Sequence, residues 1–310
     1  MTSNTAGREG YIPFRGFKTW FRVVGDHETP GKLPLLALHG GPGACHDYLE
    51  SLEAMSATGR RVIFYDQLGC GNSSLAEPAP HLWTVPLFVE EVGVVRDFLG
   101  LDRVHLLGQS WGGMLAMEYA LTQPPGLASL TIASSPASMV QWVEEANRLR
   151  TGLPPDVQQM LSKHESAGTT DSHEYEEAVM VYYRAHLCRL DPWPESLVRT
   201  FAKLQQNPEV YFTMNGPSEF HVVGTLKDWD VVDRLGEIHV PTLVTSGRYD
   251  EATPAIAKVV HEGIAGSEWV IFEESAHCAH VEEAQKFNAL LDNFLSRVEQ
   301  TRDGDHVQLT

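Results

Sequence analysis

The 310-residue sequence predicts an α/β fold, with helices on both faces of a mostly parallel sheet and an inserted all-helical domain. First, short apolar runs of strand-forming residues alternate with helical stretches up to Pro136. Second, the pattern between about Val140 and Trp229 is helical, without a strong strand. Third, strand-like runs return after this segment and a helix closes the pattern. Such alternation is typical of parallel sheets whose strands are joined by helices.

The predicted elements follow in order along the chain. Two extended segments, around YIPF and FKTWFRVVG, are expected to pair antiparallel. Buried strands are predicted at LPLLALHG, RRVIFYDQ, RVHLLGQS and LASLTIASS, and later at PTLVTSG and SEWVIFEES. EEAQKFNALLDNFLSRV predicts the closing helix because its apolar residues recur at helical spacing.

The change of pattern after Pro136 predicts two domains. Residues 1–136 and 236–310 are expected to form the core, and residues 137–235 a helical cap. VQWVEEANRLR, EYEEAVMVYYRAHLCRL and PESLVRTFAKLQQ are its predicted helices. A cap inserted in a parallel sheet covers the carboxyl ends of the strands, where such sheets bind ligands.

Composition disfavours several classes of partner. Lys and Arg number 23 against 41 Asp and Glu, so the net charge is −18 and nucleic acid is not an expected partner. No apolar run has the length of a signal peptide core or a membrane span. The four cysteines lack C-x-x-C spacing, which favours reduced thiols and a cytoplasmic location. The sequence does not indicate an oligomeric state.

The stretch LLGQSWGG carries the strongest chemical signal. G-x-S-x-G between a strand and a helix is the nucleophile elbow of the α/β-hydrolase fold, in which the serine hydroxyl stands clear of a strained turn. RVHLL supplies the strand and WGGMLAMEYALTQ the helix, which distinguishes the motif from an ordinary Gly-Ser loop. The predicted nucleophile is therefore Ser110.

A serine nucleophile needs a base and an acid that orients the base. In this fold the chain order is Ser, then Asp or Glu, then His. SGRYDE follows one late strand and provides Asp250, and ESAHCAH follows the next and provides His277. His280 competes for the role of base, but it lies where the last helical segment begins. The predicted triad is Ser110, Asp250 and His277.

A metal site is the alternative interpretation of the same loop. Its donors would be His277, His280, Glu282 and Glu283, but no further His or Cys has ligand spacing. Acidic residues at a helix start are explained by the helix dipole. We therefore expect no metal and no cofactor.

Stabilising the oxyanion requires two backbone N–H donors. One belongs to Trp111, the residue after the nucleophile, and the other to the loop HGGPG after an early strand. Its glycines allow the backbone to approach a reacting carbonyl, so Gly41 is the predicted second donor.

HGGPG, YDQLGCGNS, GQSWGG and SGRYDEATP together resemble the proline iminopeptidases of the α/β-hydrolase fold, over nearly the whole chain. HDYL, EANRLR and NGPSEFHVVGTLKDWD are similar to the L-amino-acid amidases (L-proline amide hydrolases) and the tricorn-interacting aminopeptidases. Many proline iminopeptidases read DQRGCGRS and GGSWGS where this chain has DQLGCGNS and GQSWGG. The departures favour the amidase and broader aminopeptidase branch.

The resemblance implies two further residues and a substrate. In these relatives a glutamate in N-G-P-x-E-F and one directly after the catalytic aspartate hold the free α-amine, and they correspond to Glu219 and Glu251. A buried ammonium needs carboxylate partners, and such a pair would reject acylated N-termini. The expected substrate is a small amino-acid amide or short peptide with a free N-terminus.

Two other functions remain open on the sequence. An esterase or C–C hydrolase would use the same triad and leave the two glutamates idle. A ligand receptor built on this fold would keep the triad without turnover.

Overall fold

The computed structural model describes residues 7–305 and contains one eight-stranded sheet. Residues 1–6, part of the N-terminus considered above for a signal peptide, lie outside this range. The strand order is β1-β2-β4-β3-β5-β6-β7-β8. β1 pairs antiparallel with β2 and β2 with β4, and all other pairs are parallel, which confirms the predicted fold class. The strands are β1 Arg8–Phe14, β2 Phe17–Val24, β3 Leu35–Leu38, β4 Val62–Asp66, β5 Val104–Gln109, β6 Leu127–Ala133, β7 Thr242–Gly247 and β8 Glu268–Phe272.

Helices follow the strands and cover the sheet. They are α1 Val85–Leu99, α2 Trp111–Leu121, α3 Met139–Arg150, α4 Pro155–Ala167, α5 His173–His186, α6 Glu195–Gln206, α7 Glu209–Met214, α8 Pro254–Gly263, α9 Ala279–Glu282 and α10 Ala284–Asp305. Two 3₁₀ segments are His46–Thr58 and Val232–Glu237. Helices α3 to α7 all lie between β6 and β7. Among residues 7–305, none of the helices combines the length and the apolarity needed to cross a bilayer.

The central strands are apolar because both of their faces are covered. Every residue of β3, β5, β6 and β7 is buried, as expected for parallel strands between two layers of helices. β5, β7 and β8 run parallel and end at the same edge of the sheet. The loops after these three strands carry Ser110, Asp250 and His277, so the topology brings the predicted triad to one edge.

Candidate active site

Ser110 occupies a strained turn between β5 and α2. Its backbone has φ 57° and ψ −126°, which is unfavourable for a residue with a side chain. The turn is closed so tightly that a Cβ on Gly108 would lie 2.0 Å from the carbonyl oxygen of Gly112. Glycine is therefore required on the strand side of the elbow, and Ser110 lines a large cavity.

His277 is oriented by Asp250. Its Nδ1 lies 2.7 Å from Asp250 Oδ1, and both side chains are buried. Asp250 also accepts hydrogen bonds from the backbone N–H groups of Ala252 (2.7 Å) and Gly247 (3.2 Å). With Nδ1 as the donor to a carboxylate, Nε2 is the nitrogen left to accept a proton. His277 and Ser110 line the same cavity.

His280, the competing histidine, has a different environment. It lies in α9, and its Nε2 is 3.1 Å from the carbonyl oxygen of Tyr48. Burial lowers the pKa of His280 to about 3, so the ring is neutral and Nε2 donates this hydrogen bond. Its ring packs edge-on against Tyr48 with centroids 5.3 Å apart. These contacts connect α9 to the segment after the HGGPG loop.

The HGGPG loop is held by buried side chains. His39 Nδ1 lies 2.9 Å from the Gly40 carbonyl oxygen, and His39 Nε2 accepts the Gln67 N–H at 2.9 Å. Burial lowers the pKa of His39 to about 4, which keeps the ring neutral for this pair of bonds. The Gln67 amide also donates to the His39 carbonyl oxygen (2.8 Å) and accepts from Trp111 Nε1 (2.8 Å). The two predicted oxyanion donors, Gly41 and Trp111, thus belong to segments tied by one glutamine.

Trp111, the other predicted oxyanion donor, is placed at a helix start. Trp111 begins α2, and the first N–H groups of a helix have no intrahelical acceptor. Its indole ring is buried and packs edge-on against Phe88, with centroids 5.8 Å apart. The side chain therefore supports the elbow, and it also contributes to a small cavity described below.

Glu251 is a buried carboxylate that lacks a hydrogen-bond donor. It is 0% exposed, and neither carboxylate oxygen meets a hydrogen-bond donor within residues 7–305. Burial, Glu219 and Asp250 raise its pKa well above the usual range. Its Oε1 lies 3.8 Å from His277 Nε2. Leaving a buried carboxylate unpaired is costly, so this site is suited to a cation.

Glu219 faces the same cavity from the loop after α7. Its Oε1 accepts the hydroxyl of Tyr211 at 2.7 Å, and its backbone N–H donates to the hydroxyl of Tyr183 at 3.3 Å. Burial raises the pKa of Glu219 as well. Two carboxylates that line one cavity beside His277 form an anionic subsite.

The large cavity has a volume of about 720 Å³, and α5 and α6 contribute many of its lining residues. On α5 the lining residues extend from His173 in the first turn to Tyr183 near the last, and they include Glu176, Glu177 and Met180. A 14-residue helix is about 21 Å long, so the lining side chains of α5 extend from exposed residues toward the triad. Leu197, Phe201 and Leu204 line the cavity from α6. The walls between the mouth and the triad are therefore largely apolar.

A second, small cavity adjoins the nucleophile. Its volume is about 10 Å³, roughly the space of one water molecule. Ser110, Gly41 and Glu219 line both cavities. The remaining walls are mainly apolar and include Trp111 and Trp142.

Within residues 7–305, the four side chains of the alternative metal interpretation do not form a group with ligand atoms close enough for one ion. Glu282 accepts the backbone N–H groups of Arg189 (2.8 Å) and Ala276 (2.9 Å), and Glu283 accepts the Ser275 hydroxyl (2.6 Å). Across the described residues, His46, Asp47 and Glu50 are the group with ligand atoms close enough for one ion. Arg199 and Lys203 already neutralise its two carboxylates.

Tyr48, Gln109 and Tyr211 are site residues for which the sequence predicts no role. Tyr48 and Gln109 lie in the quoted motifs HDYL and GQSWGG, but their hydrogen bonds cross long sequence distances. Tyr211 precedes the N-G-P-x-E-F motif by a few residues and carries no local signal.

Comparison with known proteins identifies the relatives of this chain. Residues 34–284 match the family model for the alpha/beta hydrolase fold. The chain is 42% identical to the proline iminopeptidase of Clostridioides difficile, over 93% of this chain and 98% of that protein. It is 40% identical to the Clostridium botulinum proline iminopeptidase, with the same coverage.

Solved structures agree with these relatives. The structure of VinJ superposes with a TM-score of 0.91 at 45% identity, covering 94% of this chain and 99% of VinJ. The proline iminopeptidase of Mycobacterium smegmatis superposes with a TM-score of 0.88 at 43% identity, covering 95% of this chain and 100% of that one.

Proposed function

This chain belongs to the proline iminopeptidase family of α/β hydrolases, and we propose that it cleaves the amide bond after an unblocked N-terminal L-amino acid. The observation that carries this proposal is the anionic subsite formed by Glu219 and Glu251 beside His277. An esterase, a C–C hydrolase or a receptor for a neutral ligand would have no use for a buried, unpaired carboxylate at this position.

In the proposed mechanism Ser110 Oγ attacks the carbonyl carbon while His277 Nε2 takes the hydroxyl proton. Asp250 stabilises the imidazolium through its contact with Nδ1. The N–H groups of Gly41 and Trp111 donate to the oxyanion. His277 then returns the proton to the leaving nitrogen, the C–N bond breaks, and an acyl-enzyme remains. Water, deprotonated by His277, hydrolyses the ester and releases the amino acid.

The substrate ammonium binds between Glu219 and Glu251. A primary ammonium has three N–H donors and the secondary ammonium of an N-terminal proline has two, and Glu251 offers two buried oxygens that need donors. Acylation of the amine would remove its charge, and the two carboxylates would then be buried without a counter-ion. This contrast supports selection for free N-termini.

The two cavities support an orientation for the substrate. With the amine at Glu219, a compact apolar first side chain such as that of proline lies on the side of the large cavity that adjoins the small one. The leaving group extends into the large cavity, between α5 and α6.

We propose residues 137–235 as the cap domain, since the helices that line this cavity lie within that segment. The reaction proposed here uses no metal or cofactor. Four unpaired cysteines support a cytoplasmic location.

A panel of L-amino-acid amides and p-nitroanilides tests this function, with proline and alanine included and N-acetyl analogues as controls. Hydrolysis of the free-amine substrates is expected, with loss on N-acetylation and in the Ser110→Ala variant. Equal rates with and without the N-acetyl group would contradict the proposal. Hydrolysis of aryl esters alone would favour an esterase.

A further inference from the structure

Gln109 is a buried amide that the mechanism above does not use. It is the last residue of β5, directly before Ser110, and is 1% exposed. Its Oε1 accepts the hydroxyl of Tyr48 at 2.5 Å, and its Nε2 donates to the main-chain oxygen of His277 at 3.1 Å. One side chain therefore contacts both the segment after the HGGPG loop and the loop that carries the base.

The orientation of this amide is determined by its partners. The main-chain oxygen of His277 can only accept, so the nitrogen of Gln109 must face it. The Tyr48 hydroxyl then donates its single hydrogen to Oε1 and accepts the N–H of Gly40 at 2.7 Å. The result is a directed chain of hydrogen bonds from Gly40 through Tyr48 and Gln109 to His277.

Tyr48 is itself held on its backbone. Its N–H donates to Thr200 Oγ1 of α6 at 3.1 Å, and its carbonyl oxygen accepts from His280. Gly40 is packed between this hydroxyl and the nucleophile. A Cβ at Gly40 would lie 2.9 Å from both Tyr48 Oη and Ser110 Cβ. The HGGPG loop therefore has little room to shift when Tyr48 is in this position.

We propose that Gln109 is a positioning residue that holds the HGGPG loop and the loop of His277 in place relative to Ser110. Tyr48 takes up the N–H of Gly40, so the neighbouring N–H of Gly41 remains for the substrate oxygen. Gln109 at the same time fixes the main chain of His277. Small displacements of reacting groups lower rates steeply, so a tether of this kind affects turnover more than binding. The inference rests on the proposed triad and oxyanion donors.

Two variants test the tether. Gln109→Met keeps the length of the side chain without its amide, and Tyr48→Phe removes one oxygen atom. Each is expected to lower kcat roughly 10- to 100-fold while KM changes less than about threefold. The loss of kcat should be similar for L-prolinamide and for p-nitrophenyl acetate, because these hydrogen bonds act on the triad and not on the anionic subsite. An enzyme that hydrolysed only the ester would contradict the proposed function and still report on the tether.

A double-mutant cycle adds a readout that a packing role would not give. Because both changes break one chain of hydrogen bonds, the double variant should be little slower than the slower single variant. Asn288→Leu is the matched control, since the Asn288 amide donates to the Ser51 carbonyl oxygen at 2.8 Å, in the same segment as Tyr48 but outside the chain of hydrogen bonds. Its kcat should be that of the wild type. Additive losses, or folded Gln109→Met and Tyr48→Phe variants with lower melting temperatures and unchanged kcat, would overturn the proposal.

Discussion

Nδ1 of His277 lies 2.7 Å from Oδ1 of Asp250, and two backbone N–H groups donate to the same carboxylate. This contact selects the tautomer in which Nε2 is the free base. Asp250→Asn should preserve the fold but present an amide to Nδ1, which favours the wrong tautomer. We expect kcat to fall about 10⁴-fold, as at other triads. Steady-state kinetics with L-prolinamide measure the loss, and a fall below tenfold would remove Asp250 from the triad.

The two histidines of ESAHCAH should respond differently to removal. His277→Ala is expected to lower kcat by roughly four to six orders of magnitude, as does loss of a nucleophile or base. His280→Ala removes a donor to the Tyr48 carbonyl oxygen, so we expect a loss of stability of about 1–3 kcal/mol and a much smaller change in kcat. Thermal unfolding and kinetics on both variants measure these effects. The reverse pattern would make His280 the base.

The sequence predicted the sheet and the three loops of the triad because both depend on local patterns. β5 and α2 flank a G-x-S-x-G motif. Asp250 and His277 each follow a late strand, in the chain order expected for the acid and the base. The contacts around the triad could not be predicted in this way. Gln109 and Tyr48 are 61 residues apart, and Gln109 and His277 are 168 apart. Such pairings depend on how the loops pack against one another, and the periodicity of the sequence does not predict that packing.

The anionic subsite could be predicted only from the family resemblance, since Glu219 and Glu251 lie in no local sequence pattern that indicates a role. The structure adds a physical reason, which is that Glu251 is buried without a donor.

Glu219→Gln should separate amine recognition from the triad. Loss of one charge partner of a buried ammonium should cost on the order of 2–5 kcal/mol in kcat/KM for L-prolinamide. Hydrolysis of p-nitrophenyl acetate, which lacks the amine, should change little. Glu176→Gln is the matched control, because Glu176 is an exposed residue that lines the cavity from α5. If kcat/KM fell equally for both substrates, or for neither, Glu219 would be excluded from the anionic subsite.

The apolar walls of the large cavity predict a preference among leaving groups. Proline octylamide should be cleaved with at least a tenfold higher kcat/KM than L-prolinamide, because its alkyl chain is removed from water between α5 and α6. Leu204→Asp should abolish that gain and leave L-prolinamide hydrolysis nearly unchanged. Val198→Asp, on the same helix but 50% exposed and outside the lining, is the control. A gain that survives Leu204→Asp would contradict this path for the leaving group.

Stability should depend on pH through Glu91, a fully buried residue of α1. Its carboxylate accepts the Thr19 hydroxyl and the Leu68 N–H, the latter at 3.0 Å, yet burial raises its pKa to about 8. Between pH 4.5 and 8 the folded protein therefore holds a proton that the unfolded chain has released. The stabilisation is complete below pH 4.5 and is lost as the pH rises toward 8.

Glu91→Gln cannot ionise, so its free energy of unfolding should fall less between pH 5 and pH 8 than that of the wild type. The difference should be on the order of a few kcal/mol, measured by urea denaturation at both pH values. Glu90→Gln is the control on the same helix, because Glu90 is exposed, pairs with Arg15 and has a lowered pKa. Glu90 is therefore ionised in both states across this window, and its variant should follow the wild-type pH dependence. Parallel curves for wild type and Glu91→Gln would show that Glu91 is already ionised in the folded protein at pH 5.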